Sequence, residues 1–157
     1  MLTRADLIQN ESLRLSKALG CFGGLAIGDT MGELARSEFY RERYGVITNL
    51  YGATQSTDDT EFAVLTAKIV IACGGHLNDD VVYEHWMKYV VEDGIRDRSG
   101  MVSLGARQNL IRGMKPPLSG KDNCHFYDDG VAMRIAPVGI VWAGDPEKAA
   151  AIAEIEG

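Results

Sequence analysis

Apolar positions recur at roughly helical spacing through most of the chain. From Glu11 to about Glu38 they fall at Leu15, Ala18, Leu19, Phe22, Leu25, Ala26, Met31 and Leu34, which predicts a helix. Gly20, Gly23, Gly24, Gly28 and Gly32 interrupt the pattern, and small residues let backbones approach closely. The stretch around Gly28 is therefore expected to be deeply buried against neighbours, as one helix or as two short ones broken near Gly28.

Arg41 to Gln55 reads as a loop punctuated by Gly45, Asn49 and Gly52, with the best strand signal at Tyr44 to Leu50. A second helix starts at Ser56-Thr57-Asp58-Asp59-Thr60-Glu61 and runs to Ala72. Further helices are predicted over Asn78 to Val91, Gly100 to Arg112 and Gly130 to Ala143, the last kinked at Pro137. Asp145-Pro146-Glu147 opens a sixth, with Asp145 as N-cap and Pro146 in the first turn. The expected class is all-α, in one domain spanning residues 1–157.

A content of 46% hydrophobic and 24% charged residues is that of a globular chain. A formal charge of -6 without a Lys/Arg cluster argues against nucleic acid or an anionic membrane as partner. The absence of a signal-like start and of long apolar runs points to the cytoplasm. Cys21, Cys73 and Cys124 show neither disulfide nor zinc spacing and read as buried thiols; His76, His85 and His125 read as surface or helix-end residues. Trp86 and Trp142 are expected in the core.

The strongest chemical signal is Thr57-Asp58-Asp59-Thr60. Two adjacent carboxylates at a helix start diverge by about 100° around the axis, so both cannot cap it. Thr57, Asp58 and Asp59 offer hard oxygen donors suited to magnesium, or to manganese. A capping box of Asp58 with Glu61 is the competing structural explanation. Asp29 is a second candidate, because a carboxylate in an apolar stretch is costly unless it is hydrogen-bonded or bound to a cation; it would otherwise cap a helix restarting at Thr30. The third is Asp128-Asp129-Gly130, a turn into a helix whose amides suit an anion, although the aspartates oppose that use.

Three motifs in this order, Gly28-Asp29-Thr30-Met31-Gly32, Ser56-Thr57-Asp58-Asp59-Thr60 and Ala132-Met133-Arg134-Ile135-Ala136-Pro137-Val138-Gly139, resemble the ADP-ribosylglycohydrolase family from about Leu15 onward. The resemblance implies an all-α orthogonal bundle around a cleft with two magnesium ions. It assigns Thr57, Asp58 and Asp59 as metal ligands, with Asp58 and Asp59 catalytic, and Asp97, Asp129, Gly130 and Met133 as substrate-binding residues. The implied reaction removes ADP-ribose from a modified protein or small molecule by hydrolysis at the anomeric C1″.

The chain departs from the family pattern in three places. A second metal motif, Asp-x-Asp-Thr, is absent; Arg36 stands where a glutamate is usual; and Asp128-Asp129 replaces small or neutral residues. Asp58 and Asp59 offset half of the four charges of two magnesium ions, so a missing carboxy-terminal half or a second chain is expected to complete the site. The alternatives are an ADP-ribose or nucleotide-binding module without catalysis, and a structural helical domain.

Overall fold

A computed structural model describes residues 3–93, 101–121 and 129–157. Among these residues the chain is all-α: α1 (Arg4–Gln9), α2 (Glu11–Arg36), α3 (Glu38–Tyr44), α4 (Asp58–Ala72), α5 (Asp79–Trp86), a π-helical continuation (Met87–Glu92), α6 (Met101–Ile111), α7 (Leu118–Lys121), α8 (Gly130–Arg134), α9 (Ala136–Val141) and α10 (Pro146–Glu156). No described helix is long and apolar enough to cross a membrane.

α4 is the axis of the core. Phe62, Leu65, Ile69 and Val70 recur on its inward side and are buried with Val82, Trp86, Val90, Leu110, Val138 and Ile152. Each such side chain contributes about 1.5–3 kcal/mol on leaving water. α5, α8 and α9 pack on α4, and α2 lies against both α4 and α9. Trp86 is in this core as expected, whereas Trp142 is half-buried at its edge and donates its indole N–H to the Gly75 carbonyl at 2.9 Å.

Helix ends follow local chemistry. The Asn78 side chain accepts from the Val81 amide at 3.0 Å, and Asp145 accepts from Lys148 at 3.1 Å with Pro146 behind it. Thr3 and Asp6 form a reciprocal capping box that starts α1, a helix the periodicity did not predict. Gly144 allows the start of α1 to pass close by: a Cβ there would lie 2.5 Å from the Arg4 nitrogen. Arg4 then donates to the Val141 and Ala143 carbonyls at 3.0 and 3.3 Å and covers the Trp142 ring.

Several expectations are corrected. Tyr44 to Leu50 is not a strand; α3 ends within it, and Tyr44 stacks on Tyr51 at 4.0 Å. The predicted helix from Gly130 to Ala143 is two helices broken at Ile135, because Pro137 cannot supply the amide that a continuous helix needs. α2 is a single unbroken helix, and it is not deeply buried: only Thr30 and Leu34 are. Its glycines do not serve close packing here, since a Cβ on Gly20, Gly23, Gly24, Gly28 or Gly32 would meet nothing within 4 Å. Cys21 is exposed rather than buried and Cys73 is half-buried, while Cys124 and His125 lie outside the described residues. His76 is exposed and packs on Trp142, and His85 is half-buried within α5 with Nδ1 2.9 Å from the Val81 carbonyl.

Candidate active site

The Thr57 to Thr60 segment is held by a carboxylate from another helix. Asp29, two turns from the end of α2, accepts hydrogen bonds from the Thr57 amide at 2.8 Å, the Thr60 amide at 3.2 Å and the Thr60 hydroxyl at 2.6 Å, and from the Thr57 hydroxyl at short range. Thr30 beside it donates to the Ala26 carbonyl at 2.8 Å and lies 3.4 Å from the Gln55 carbonyl, which draws the incoming loop onto α2.

This arrangement corrects two readings. Asp29 is a cap, but of α4 rather than of a helix restarting at Thr30. The N-cap position of α4 is Thr57, whose side chain makes no capping bond, and no Asp58–Glu61 capping box forms. With the first-turn amides of Thr57 and Thr60 held by Asp29, capping does not consume Asp58 or Asp59. Asp58 makes no hydrogen bond or ion pair among the described residues.

Electrostatics separates the carboxylates. Burial alone would raise the Asp29 carboxyl, but the hydrogen bonds from Thr57 and Thr60 outweigh it and hold the group below its ordinary value. Asp59 is displaced upward, first by burial and then by the negative charges of Asp29, Asp58 and Asp129, with Arg36 opposing. The structure therefore brings Asp29, Asp58, Asp59 and Asp129 into one electrostatic neighbourhood. A site that pushes an aspartate upward by like charge is one that gains from a cation.

The donor chemistry suits a hard divalent ion. The Thr57 hydroxyl donates to Asp29, so its oxygen lone pairs could serve a cation together with the carboxylates of Asp58 and Asp59, its neighbours in sequence. Among the described residues no three His, Cys, Asp or Glu side chains are gathered around one point. Two carboxylates, a hydroxyl and retained waters are nevertheless a magnesium-like set.

The other predicted residues divide. Asp129 occupies the N-cap position of α8, exposed and without a side-chain capping bond. Gly130 is buried, and its carbonyl accepts from Arg134 at 3.1 Å. Met133 is half-buried and packs on the hydrophobic core. Asp97 and Asp128 lie outside the described residues.

Arg134, within the third motif, has a structural role that its sequence does not disclose. Its Nε donates to Glu156 Oε1 at 3.2 Å, and its Nη2 to the Glu156 carbonyl at 2.8 Å. Thr66 of α4 donates to the same Glu156 oxygen at 2.6 Å, so α4, α8 and α10 meet at one buried ion pair. α8 is thereby tied to the middle of α4 through Glu156.

An uncharacterized protein of Archaeoglobus fulgidus is 33% identical over 138 residues, a match covering 80% of this chain and 43% of that protein. The chain thus spans less than half the length of this relative. No solved structure matches. The ADP-ribosylglycohydrolase family matches residues 10–156, nearly the whole chain. The chain belongs to the ADP-ribosylglycohydrolase family.

Proposed function

We propose that this chain carries the first metal-binding segment of a magnesium-dependent hydrolase that removes ADP-ribose from a modified protein or small molecule. The observation behind this reading is the Asp29 clamp, which satisfies the start of α4 from outside and leaves Asp58 and Asp59 to other work.

In this reading Thr57, Asp58 and Asp59 hold the cation, with manganese a chemical substitute. A magnesium ion held by these residues would supply positive charge for orienting the ribose hydroxyls and an attacking water. One of these two carboxylates, Asp58 or Asp59, would take a proton from the water as the water oxygen bonds to C1″, and a proton would return to the departing nitrogen or oxygen as the bond from C1″ to the acceptor breaks. Asp29 is a positioning residue that acts through Thr57 and Thr60. Asp129 and Gly130, with Asp97 and Met133, are assigned to the ADP-ribose side of the cleft.

Asp58 and Asp59 balance half the charge of two magnesium ions, so a further polypeptide segment completes the site. We place the reaction in the cytoplasm, with no nucleic-acid or membrane partner.

A second reading, an ADP-ribose-binding module without turnover, is favoured by Arg36, whose positive charge reaches Asp59 and lessens its need for a cation. The test is ADP-ribose release from arginine- and serine-linked ADP-ribosyl peptides, with binding followed by NMR. Magnesium-dependent release supports hydrolysis; binding at the Thr57–Thr60 and Gly130 amides without release supports the module. Neither binding nor release would contradict both.

A further inference from the structure

We propose that the cavity between α1, α9 and the amino-terminal half of α2 binds a small monocarboxylate with an apolar body, at a site separate from Thr57 to Thr60. Lys17 and Asp29 stand about 18 Å apart along the axis of α2, so the metal-binding segment takes no part.

Three observations carry it. The first is the space: the cavity has a volume of about 280 Å³, and Leu7 and Ile8 of α1, Ala18 of α2 and Ile140 of α9 give it apolar walls. An apolar cavity of about 150 Å³ holds a benzene ring, so this one suits a body of roughly eight carbons. Gly139 keeps the α9 side open, because a Cβ there would meet nothing within 4 Å.

The second is charge. Arg14, Lys17, Ala18 and Cys21 share one side of α2, and all four line the cavity. Neither Arg14 nor Lys17 has an ion pair or hydrogen bond among the described residues, and no described Asp or Glu lines the cavity with them. In a chain of formal charge -6, hydrocarbon walls rimmed by two unpartnered cations are complementary to an anion with an apolar body.

The third narrows the class of anion. Arg4, also in the lining, donates to the Val141 and Ala143 carbonyls at the cavity edge, at 3.0 and 3.3 Å. A peptide backbone would have to compete with Arg4 for both, which favours a free acid over a chain terminus. A carboxylate can take two parallel N–H donors from the Arg14 guanidinium with Lys17 beside it, whereas a phosphate dianion would lose more hydration against apolar walls.

Octanoate is the probe, titrated into the full chain with magnesium chelated. Octan-1-ol, the same body without the charge, and acetate, the charge without the body, are the comparisons. Binding is followed by NMR at the Ile8 and Ile140 methyls and by the alkylation rate of Cys21, resolved by peptide mass spectrometry. Octanoate should saturate, shift both methyls, slow Cys21 alkylation and bind about tenfold or more tighter than either comparison. Arg14→Ala/Lys17→Ala should bring octanoate down to the affinity of octan-1-ol, and Gly139→Leu, which fills the cavity, should weaken both ligands.

Arg14 and Lys17 are exposed and Gly139 has open space, so these variants should keep the helical circular-dichroism spectrum. Asp58→Asn/Asp59→Asn should leave octanoate binding unchanged, which separates this proposal from the metal reading. Equal affinity of the unsubstituted chain for octanoate and octan-1-ol, shifts confined to the exposed Leu15 and Leu19 side of α2, or unslowed alkylation of Cys21 would overturn it. Tighter binding of N-acetyl-leucyl-leucine than of octanoate would also overturn it, in favour of a peptide terminus.

Discussion

α4 and α2 are neighbours of opposite character. α4 is enclosed: its inward residues are buried, its first turn is capped and its middle is tied to α10 through Thr66. α2 is longer by eleven residues, 26 against 15, yet buries only Thr30 and Leu34, both near its carboxy-terminal end. The difference shows that burial in this core follows the apolar residues of α4, whereas α2 joins the core through its carboxy-terminal end alone. Asp29 is where they meet, so the chemistry of the Thr57 to Thr60 segment depends on the exposed helix remaining in place.

The enclosed side should be easiest to break. Arg134→Met leaves the Glu156 carboxylate buried without its ion-pair partner, and a loss of about 3–5 kcal/mol is expected from denaturant unfolding.

Next is the junction. Asp29→Ala removes the acceptor for both first-turn amides and should cost about 2 kcal/mol, as for a strong cap. Because the native Asp29 carboxyl sits below its ordinary value, its contribution is present at neutral pH, above the unfolded-state value. It is lost as pH falls through the lower native value. The stability gap between wild type and Asp29→Ala, measured in chelator, should close over that acid range.

Asp59 should behave in the opposite sense. Its native carboxyl is held above the ordinary value, so the fold favours the protonated form and ionisation at neutral pH costs stability. Asp59→Asn is expected to stabilise the metal-free chain slightly at pH 7, by no more than about 0.5 kcal/mol because solvent screens a half-buried group. That gain should fade on acidification, once the carboxyl is neutral in both folded and unfolded states.

The smallest effect belongs to the open face. Gly24→Ala should raise stability by about 0.5–1 kcal/mol, because an alanine in a helix loses less entropy on folding and here meets no neighbour. A destabilising result would mean that the glycine already packs against something.

The comparison also explains which features were legible. The helices at α4, α5, α6 and α10 could be read because periodicity and, for α4, α5 and α10, helix-start residues agree locally. α3 and α7 were not, since seven and four residues form too few hydrogen bonds to declare themselves and depend on tertiary support. The glycines of α2 misled because an open trough and a closed one have the same sequence; only the neighbour differs.

The Thr57 to Thr60 motif could be found locally, but its cap could not: Asp29 lies 28 residues from Thr57. The sequence did flag Asp29 as a buried-carboxylate problem without naming the partner that solves it. Arg134 and Glu156 meet across 22 residues, and no spacing rule joins them.

The central claim is that Asp58 and Asp59 are left to bind a cation because Asp29 caps their helix. Calorimetric titration of magnesium into the chain, with and without ADP-ribose, tests it most directly when repeated on Asp58→Asn/Asp59→Asn. The account predicts binding that ADP-ribose strengthens and the double substitution abolishes while the helical circular-dichroism spectrum is retained. An unchanged isotherm in the folded double variant, or no heat with the unsubstituted chain in either titration, would contradict it.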